Sequence, residues 1–487
     1  MNPLNRGAGS HLLLYGIGSL TKQLATVVML PIYTYYLSPA DYGAVEIVSL
    51  IVSSMSLIAG MNLGEGLFRY YHEREDLGGG RKAVASALGL AFGLNLLGTI
   101  LLLILSPVLA SQFLSNSDLW YLVAICAATL VSESCVSIVT CHMRAEQNAW
   151  HFFWTGIARL ILQVGFNVFF VIYLRLGVLG VFLGLLASSV LLALAILPYS
   201  IRRVGFSVSV ASARLLLVFG GPLVLANVAQ FYLGAIDRFF LEHFQDLASV
   251  GIYALAARLA QSFLTLIYEP FEQIWDPEKY RIWRAGRNIE PFQRVFRLLT
   301  SILVICGVGI SILAPEIFAL LTSKPFAFAG VVAPVLVASS ICTALTRFAR
   351  FGSLAEGKTG NVYKAALVSA TVMTLMLFVL TPQFGAMGAA TAVVGAAVVR
   401  VFVEDRMARR LVNLRLPWGS FLVVAGVGIL VALGCFQLGP ISPGNIAIKV
   451  TCVIALAGAI WWSPYLGYAE RHLVLTLIRP RSLKSRL

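Results

Sequence analysis

The chain has 487 residues, 59% of them hydrophobic and only 12% charged, with a mean hydropathy of +0.86 and a net charge of +14. Soluble domains carry about a quarter charged residues, so this composition excludes an ordinary soluble enzyme or binding module. The positive charge is accounted for by membrane topology and anionic headgroups, without a nucleic-acid partner.

A helix crossing a bilayer needs about 20 apolar residues, and about fourteen stretches meet that length. In chain order they run 11–37, 43–64, 84–105, 119–141, 151–173, 177–200, 215–241, 250–270, 295–321, 329–350, 362–381, 385–403, 418–437 and 446–463. Runs such as Leu94–Leu105 do not alternate apolar and polar residues, which argues against a membrane β-barrel. The expectation is an all-α polytopic membrane protein. The first span follows a single basic residue, Arg6, and has no small-residue cleavage site, so it reads as a retained helix and not a signal peptide.

The basic residues fall on alternate loops: 29 of the 36 Lys and Arg lie on one side of this map and four, Arg175, Arg238, Lys324 and Lys449, on the other. Cytoplasmic loops hold the excess of Lys and Arg. Both termini are therefore expected in the cytoplasm, with an even number of spans. The basic stretch Glu272–Arg297 carries interleaved aromatics and suits an amphipathic helix on the inner leaflet, or else a solvated linker. The seven cysteines form no CxxC and read as structural thiols.

A weak repeat recurs at an offset of 208. Tyr42-Gly43 aligns with Val250-Gly251, and Gly177-Val178-Leu179-Gly180 with Gly385-Ala386-Met387-Gly388. Halves of six spans each are parallel repeats. The expected division is 1–208 (six spans), 209–415 (six spans) and 416–487 (two spans and a basic tail).

Polar side chains are costly in hydrocarbon and should face an interior or a wet cavity. Several spans keep theirs on one face by spacings of three and four. These are Tyr15, Ser19, Lys22, Thr26 and Tyr33; Glu46 with Ser49, Ser53 and Ser56; Arg159, Gln163 and Asn167; Asn227, Gln230 and Asp237; and Arg258, Gln261, Thr265 and Tyr268. Lys22 and Arg258 fall near mid-membrane. An unpaired cation there costs at least about 2.5 kcal/mol. Either an anionic substrate group such as a phosphate visits them, or Glu46, Glu133, Asp237 or Glu269 pairs with them. The same alternatives hold for Arg159, which falls nearer the cytoplasmic end of its span. Asp237-Arg238, near the outer end of its span, reads as a gate or ion-coupling pair, or as snorkelling side chains. The sequence has no GxxxxGK[ST], HExxH or GxSxG, and its six histidines do not cluster. No enzyme machinery and no cofactor is expected, a coupling H+ or Na+ aside.

Gly16-Ile17-Gly18-Ser19, and then Leu30-Pro31-Ile32-Tyr33-Thr34-Tyr35-Tyr36-Leu37-Ser38-Pro39-Ala40-Asp41-Tyr42-Gly43, resemble the opening of polysaccharide-transporter (Wzx-type) flippases. These belong to the multidrug/oligosaccharidyl-lipid/polysaccharide exporter superfamily. Ile236-Asp237-Arg238-Phe239-Phe240-Leu241, Trp275-Asp276-Pro277 and Glu356-Gly357-Lys358-Thr359 fit as well, so the likeness runs over roughly 7–410. The resemblance implies two six-helix lobes around a central cavity that alternates in access. It implies export of an undecaprenyl-pyrophosphate-linked oligosaccharide, for O-antigen, capsule or exopolysaccharide, across a bacterial inner membrane, with polysaccharide polymerase machinery as a further partner. Lys22 and Arg258 would meet the pyrophosphate; Tyr15, Gln230, Gln261 and Tyr268 would meet the sugar; the tail would stay among membrane lipids. The alternatives are a cation-coupled drug exporter, which usually carries an acid where this chain has Lys22, a peptidoglycan lipid-precursor flippase, a scaffold protein, or an enzyme acting on a lipid-linked sugar.

Overall fold

The computed structural model describes residues 29–73, 79–114, 116–205, 208–438, 442–468 and 470–471. Among these, every regular element is helical. The elements are α1 (29–36), α2 (Pro39–Ala59), α3 (Leu63–Glu73), α4 (Gly79–Phe113), α5 (Trp120–Ala145), α6 (Ala149–Asn167), α7 (Gly177–Val204), α8 (Val210–Phe244), α9 (Leu247–Phe263), α10 (Glu269–Gly286), α11 (Glu290–Leu321), α12 (Ala329–Ala349), α13 (Phe351–Ala355), α14 (Thr359–Arg409), α15 (Trp418–Phe436) and α16 (Pro443–Trp462). Short π-helical segments, Val168–Tyr173 and Leu264–Tyr268, extend α6 and α9.

Among the described residues, twelve segments are long and apolar enough to cross a membrane. One of them, α14, has 51 residues. At 1.5 Å per residue that is about 75 Å, over twice the thickness of a bilayer core. It turns over at Gly385, whose φ of 55° and ψ of −132° only glycine adopts without strain. α14 is therefore two spans, which makes thirteen. The fourteenth is the first expected span, of which only α1 lies within the described residues. The chain is a multi-pass, all-α membrane protein.

The 208-residue repeat is legible at single residues. Ser38 caps α2: its Oγ accepts from the Asp41 amide at 3.1 Å, and Asp41 Oδ2 accepts from the Ser38 amide at 3.0 Å. This reciprocal box satisfies two of the orphan amides at the helix start. At the equivalent place before α9, Asp246 Oδ1 accepts from the Ser249 amide at 2.7 Å. Five residues on from each cap stand Gly43 and Gly251, and these two meet. A Cβ on Gly43 would lie 1.8 Å from the Leu247 carbonyl oxygen, and one on Gly251 would lie 2.0 Å from the Pro39 oxygen. The second matched pair behaves alike: Gly177 and Gly385 both have positive φ, 57° and 55°.

Two compact units result. The first is Met1–Ile252 with Leu321–Phe326; the second is Tyr253–Leu320 with Ala327–Leu487. In the first, α5 is the most enclosed span and packs against α4 and α7. Helix α8 packs on α2, α3 and α4, so by contact it joins the first unit, where the sequence division at 208/209 separates it. That division follows the repeat and not compactness. Hydroxyls stitch the helices together across the first unit, as with Thr99 Oγ1 donating to the Ala127 carbonyl at 3.0 Å and the Ser132–Ser189 pair at 2.7 Å.

In the second unit, the basic stretch after residue 270 does not form one surface helix. It is divided between α10 and the start of α11 by a turn at Arg287, whose φ is 52°. Its aromatics are covered by protein: Trp275 stacks on Phe348 at 6.0 Å, and Phe292 and Phe296 are fully buried. The apolar face that suggested a lipid contact is core. Two ion pairs fasten the C-terminal segment to α11: buried Lys449 bonds Glu316, and Arg297 Nη2 meets Glu470 at 2.6 Å.

Candidate functional site

The first unit brings three of the expected site residues into one cluster. Arg238 Nη1 lies 2.9 Å from Asp237 Oδ1 and donates to the Gly234 carbonyl at 2.6 Å, while its Nε stands 3.8 Å from Glu46 Oε1. Asp237 is 3% exposed. Glu46 comes from α2 and the other two from α8, so the cluster links two helices. Two carboxylates face one guanidinium. Each partner lies about seven residues, or roughly 10 Å, inside one end of its helix.

A second constellation sits deeper. Arg159 on α6 donates from Nη2 to Glu133 Oε2 on α5 at 2.6 Å. Arg159 lies ten residues into α6 and Glu133 thirteen into α5, about 15–20 Å from the helix ends and so near mid-bilayer. Their side chains are 27% and 31% exposed. Gln163 and Asn167 continue the same face, and Asn167 Oδ1 accepts from the Tyr33 hydroxyl at 2.8 Å. Further along α8, Asn227 Nδ2 donates to Asn62 Oδ1 at 2.9 Å, and Gln230 is exposed. Asn62 and its neighbour Met61 have φ of 47° and 44°, where α2 breaks before α3.

In the second unit, Arg258 is half-buried on α9 and its carbonyl accepts from Ser262 Oγ at 2.8 Å. Gln261 is exposed, and its Nε2 donates to Thr265 Oγ1 at 3.5 Å; Thr265 in turn donates to Glu269 Oε1 at 3.4 Å. Tyr268 does not share that open face. It is 2% exposed, packed against Phe271 and beneath the Arg347 guanidinium, so its ring is not available to stack on a sugar as expected. The π-helical segment is the reason: each of its residues advances less around the axis than an α-helical residue, so spacing by three and four no longer keeps a face. Lys22 and Tyr15 lie outside the described residues.

The sequence reading missed a cluster near the basic end of the second unit. Glu272 takes Arg347 Nη1 at 2.8 Å and faces Arg350 Nη2 at 3.7 Å, while Arg400 Nε lies 3.4 Å from Glu404 Oε1. Three of these side chains, Arg347, Arg350 and Arg400, count in the sequence only among the basic residues on the cytoplasmic side. Among the described residues, no group of three or more His, Cys, Asp or Glu could hold a metal ion. The chemistry available is that of cations, carboxylates and amides set at membrane depth.

Comparison with solved structures places this fold. The chain is similar to a lipid II flippase, MurJ, in an inward closed conformation, with a TM-score of 0.74 at 14% identity over 92% of this chain and 98% of that one. It is similar to an inward-facing multidrug resistance MATE transporter of the MOP superfamily, with a TM-score of 0.67 at 16% identity, covering 83% and 99%. A MOP superfamily transporter from Pyrococcus furiosus gives 0.52 at 16% identity, covering 83% and 95%. None of the curated proteins matches the chain. A family profile described as "Polysaccharide biosynthesis protein" matches residues 34–328. That match takes in the capping box, the meeting glycines, both clusters of the first unit and Arg258, and over this length the chain belongs to the polysaccharide biosynthesis protein family.

Proposed function

We propose that the chain is a transporter and not an enzyme: a flippase that carries an undecaprenyl-pyrophosphate-linked oligosaccharide unit from the cytoplasmic to the periplasmic leaflet of a bacterial inner membrane. The observation that carries this reading is a guanidinium at mid-bilayer depth, Arg159, which remains more than a quarter exposed in a chain of a polysaccharide biosynthesis family. A charge at that depth is tolerated when it faces a water-filled cavity or a charged ligand. A pyrophosphate is the charged part of a lipid-linked sugar and must cross that depth. Arg159, Arg258 and Lys22 are its partners in this reading, and the exposed amides of Gln230 and Gln261 meet the glycan. The polyprenyl tail stays among the membrane lipids.

The Glu46–Asp237–Arg238 cluster is the proposed gate, and it is where H+ or Na+ coupling would act. Both termini lie in the cytoplasm, as the distribution of basic residues requires. A polymerase would consume the delivered unit. Deletion of the gene tests the proposal: surface glycan is lost and the complete lipid-linked unit accumulates facing the cytoplasm. Accumulation of peptidoglycan precursor, with the glycan intact, would instead assign the protein to that other lipid carrier.

A further inference from the structure

The Arg159–Glu133 pair has an unusual form for a structural ion pair. Its contact is one bond, from one Nη to one carboxylate oxygen, at 2.6 Å. A guanidinium carries five N–H donors, and Glu133 is the only side chain that bonds Arg159 among the described residues. The remaining donor edge is not covered, for the side chain is 27% exposed.

Arg159 is set apart from the apolar face of its helix. Along α6 the large exposed apolar side chains are Trp150, Trp154 and Ile161. At about 100° per residue, Arg159 lies about 140° from Trp154 and about 160° from Ile161, on the opposite face. Gln163 follows Arg159 on that face. Glu133 comes from α5, the most enclosed span of its unit. The open guanidinium edge therefore lies on the face of α6 opposite its exposed apolar side chains.

We infer that Glu133 is a stand-in anion, which holds Arg159 when the carrier is empty and yields it to a phosphate oxygen of the lipid-linked substrate. This deepens the flippase reading and rests on it. A guanidinium takes phosphate side-on through two parallel bonds, more strongly than through one bond to a carboxylate. The carboxylate keeps the empty state from leaving a cation unpaired at mid-membrane. It also competes for Arg159, which limits how tightly substrate is held and lets it leave. Glu133 is thus a positioning residue that tunes release.

The test uses the purified full-length protein in phosphatidylcholine nanodiscs, with geranylgeranyl pyrophosphate as probe and geranylgeraniol as the uncharged control. Wild type binds the pyrophosphate and not the alcohol. Arg159→Gln weakens binding by about tenfold or more, the worth of a charge-assisted bond. Glu133→Gln tightens binding while slowing flipping in proteoliposomes, so affinity and turnover move in opposite directions. Should Glu133→Gln not fold, Glu133→Asp, whose carboxylate is one methylene further from Arg159, gives the same result in weaker form. A purely structural pair predicts lower melting temperatures in both variants and unchanged affinity of the folded protein, and that result overturns the inference. If adding phosphatidylglycerol abolishes the probe's binding, the phosphate seated there is a bilayer lipid and the substrate assignment fails. If wild type binds no prenyl pyrophosphate at all, the flippase reading itself fails. If wild type and Arg159→Gln bind it equally, only this site does.

Discussion

At the scale of single residues, the charges within the spans fall into two kinds. Lys449 is 3% exposed and bonded to Glu316, so its energetics are those of a closed pair. Removing one partner of such a pair leaves a buried charge uncompensated, at about 3–5 kcal/mol. Lys449→Met should therefore lower the melting temperature sharply, and Lys449→Met with Glu316→Gln should restore most of it. The same argument makes Arg238→Met severe, because Asp237 is buried beside it. Glu46→Gln, which removes the charge facing Arg238 Nε at 3.8 Å, should alter transport in the proteoliposome assay. Arg159 belongs to the other kind, paired once and left open.

At the scale of elements, the glycines carry the fold's tightest constraints. Gly43→Ala or Gly251→Ala would drive a methyl group into a backbone carbonyl, which cannot retreat as a side chain can. Either change should abolish accumulation of folded protein in the membrane, whereas Gly234→Ala, with nothing within 4 Å of the added carbon, should be tolerated. Gly385→Ala should destabilise through φ alone, since an L-residue is strained there. Fluorescence-detected size-exclusion chromatography of the four variants distinguishes these outcomes.

The elements also show what could be read in advance. The spans were legible because apolar length is a property of the chain itself. The repeat was legible because two glycine pairs are needed at fixed places, one for close approach and one for positive φ. The pairing of Arg159 with Glu133 was only one of several open combinations, because it depends on how α5 and α6 rotate against each other. Tyr268 was placed on the wrong face because a π-helical segment leaves no mark in residue spacing. The aromatics of α10 and α11 looked like a lipid contact because a sequence does not tell a lipid cover from a protein one.

At the scale of the whole molecule, the account requires that the basic loops share one side of the membrane. Alkaline phosphatase fused after Arg287 or Arg410 should be inactive, and fused after Asn116 or Lys324 should be active, as periplasmic folding requires. The reverse pattern would invert the direction of transport. The most direct measurement of the central claim is flipping itself. The purified protein is reconstituted in proteoliposomes with a fluorescent undecaprenyl-pyrophosphate-linked oligosaccharide, and a membrane-impermeant quencher reports which leaflet holds it. The account predicts protein-dependent transfer between leaflets, lost when Arg159 and Arg258 are both replaced by Gln. Equal transfer by that double variant, or none by wild type with a verified substrate, would contradict it.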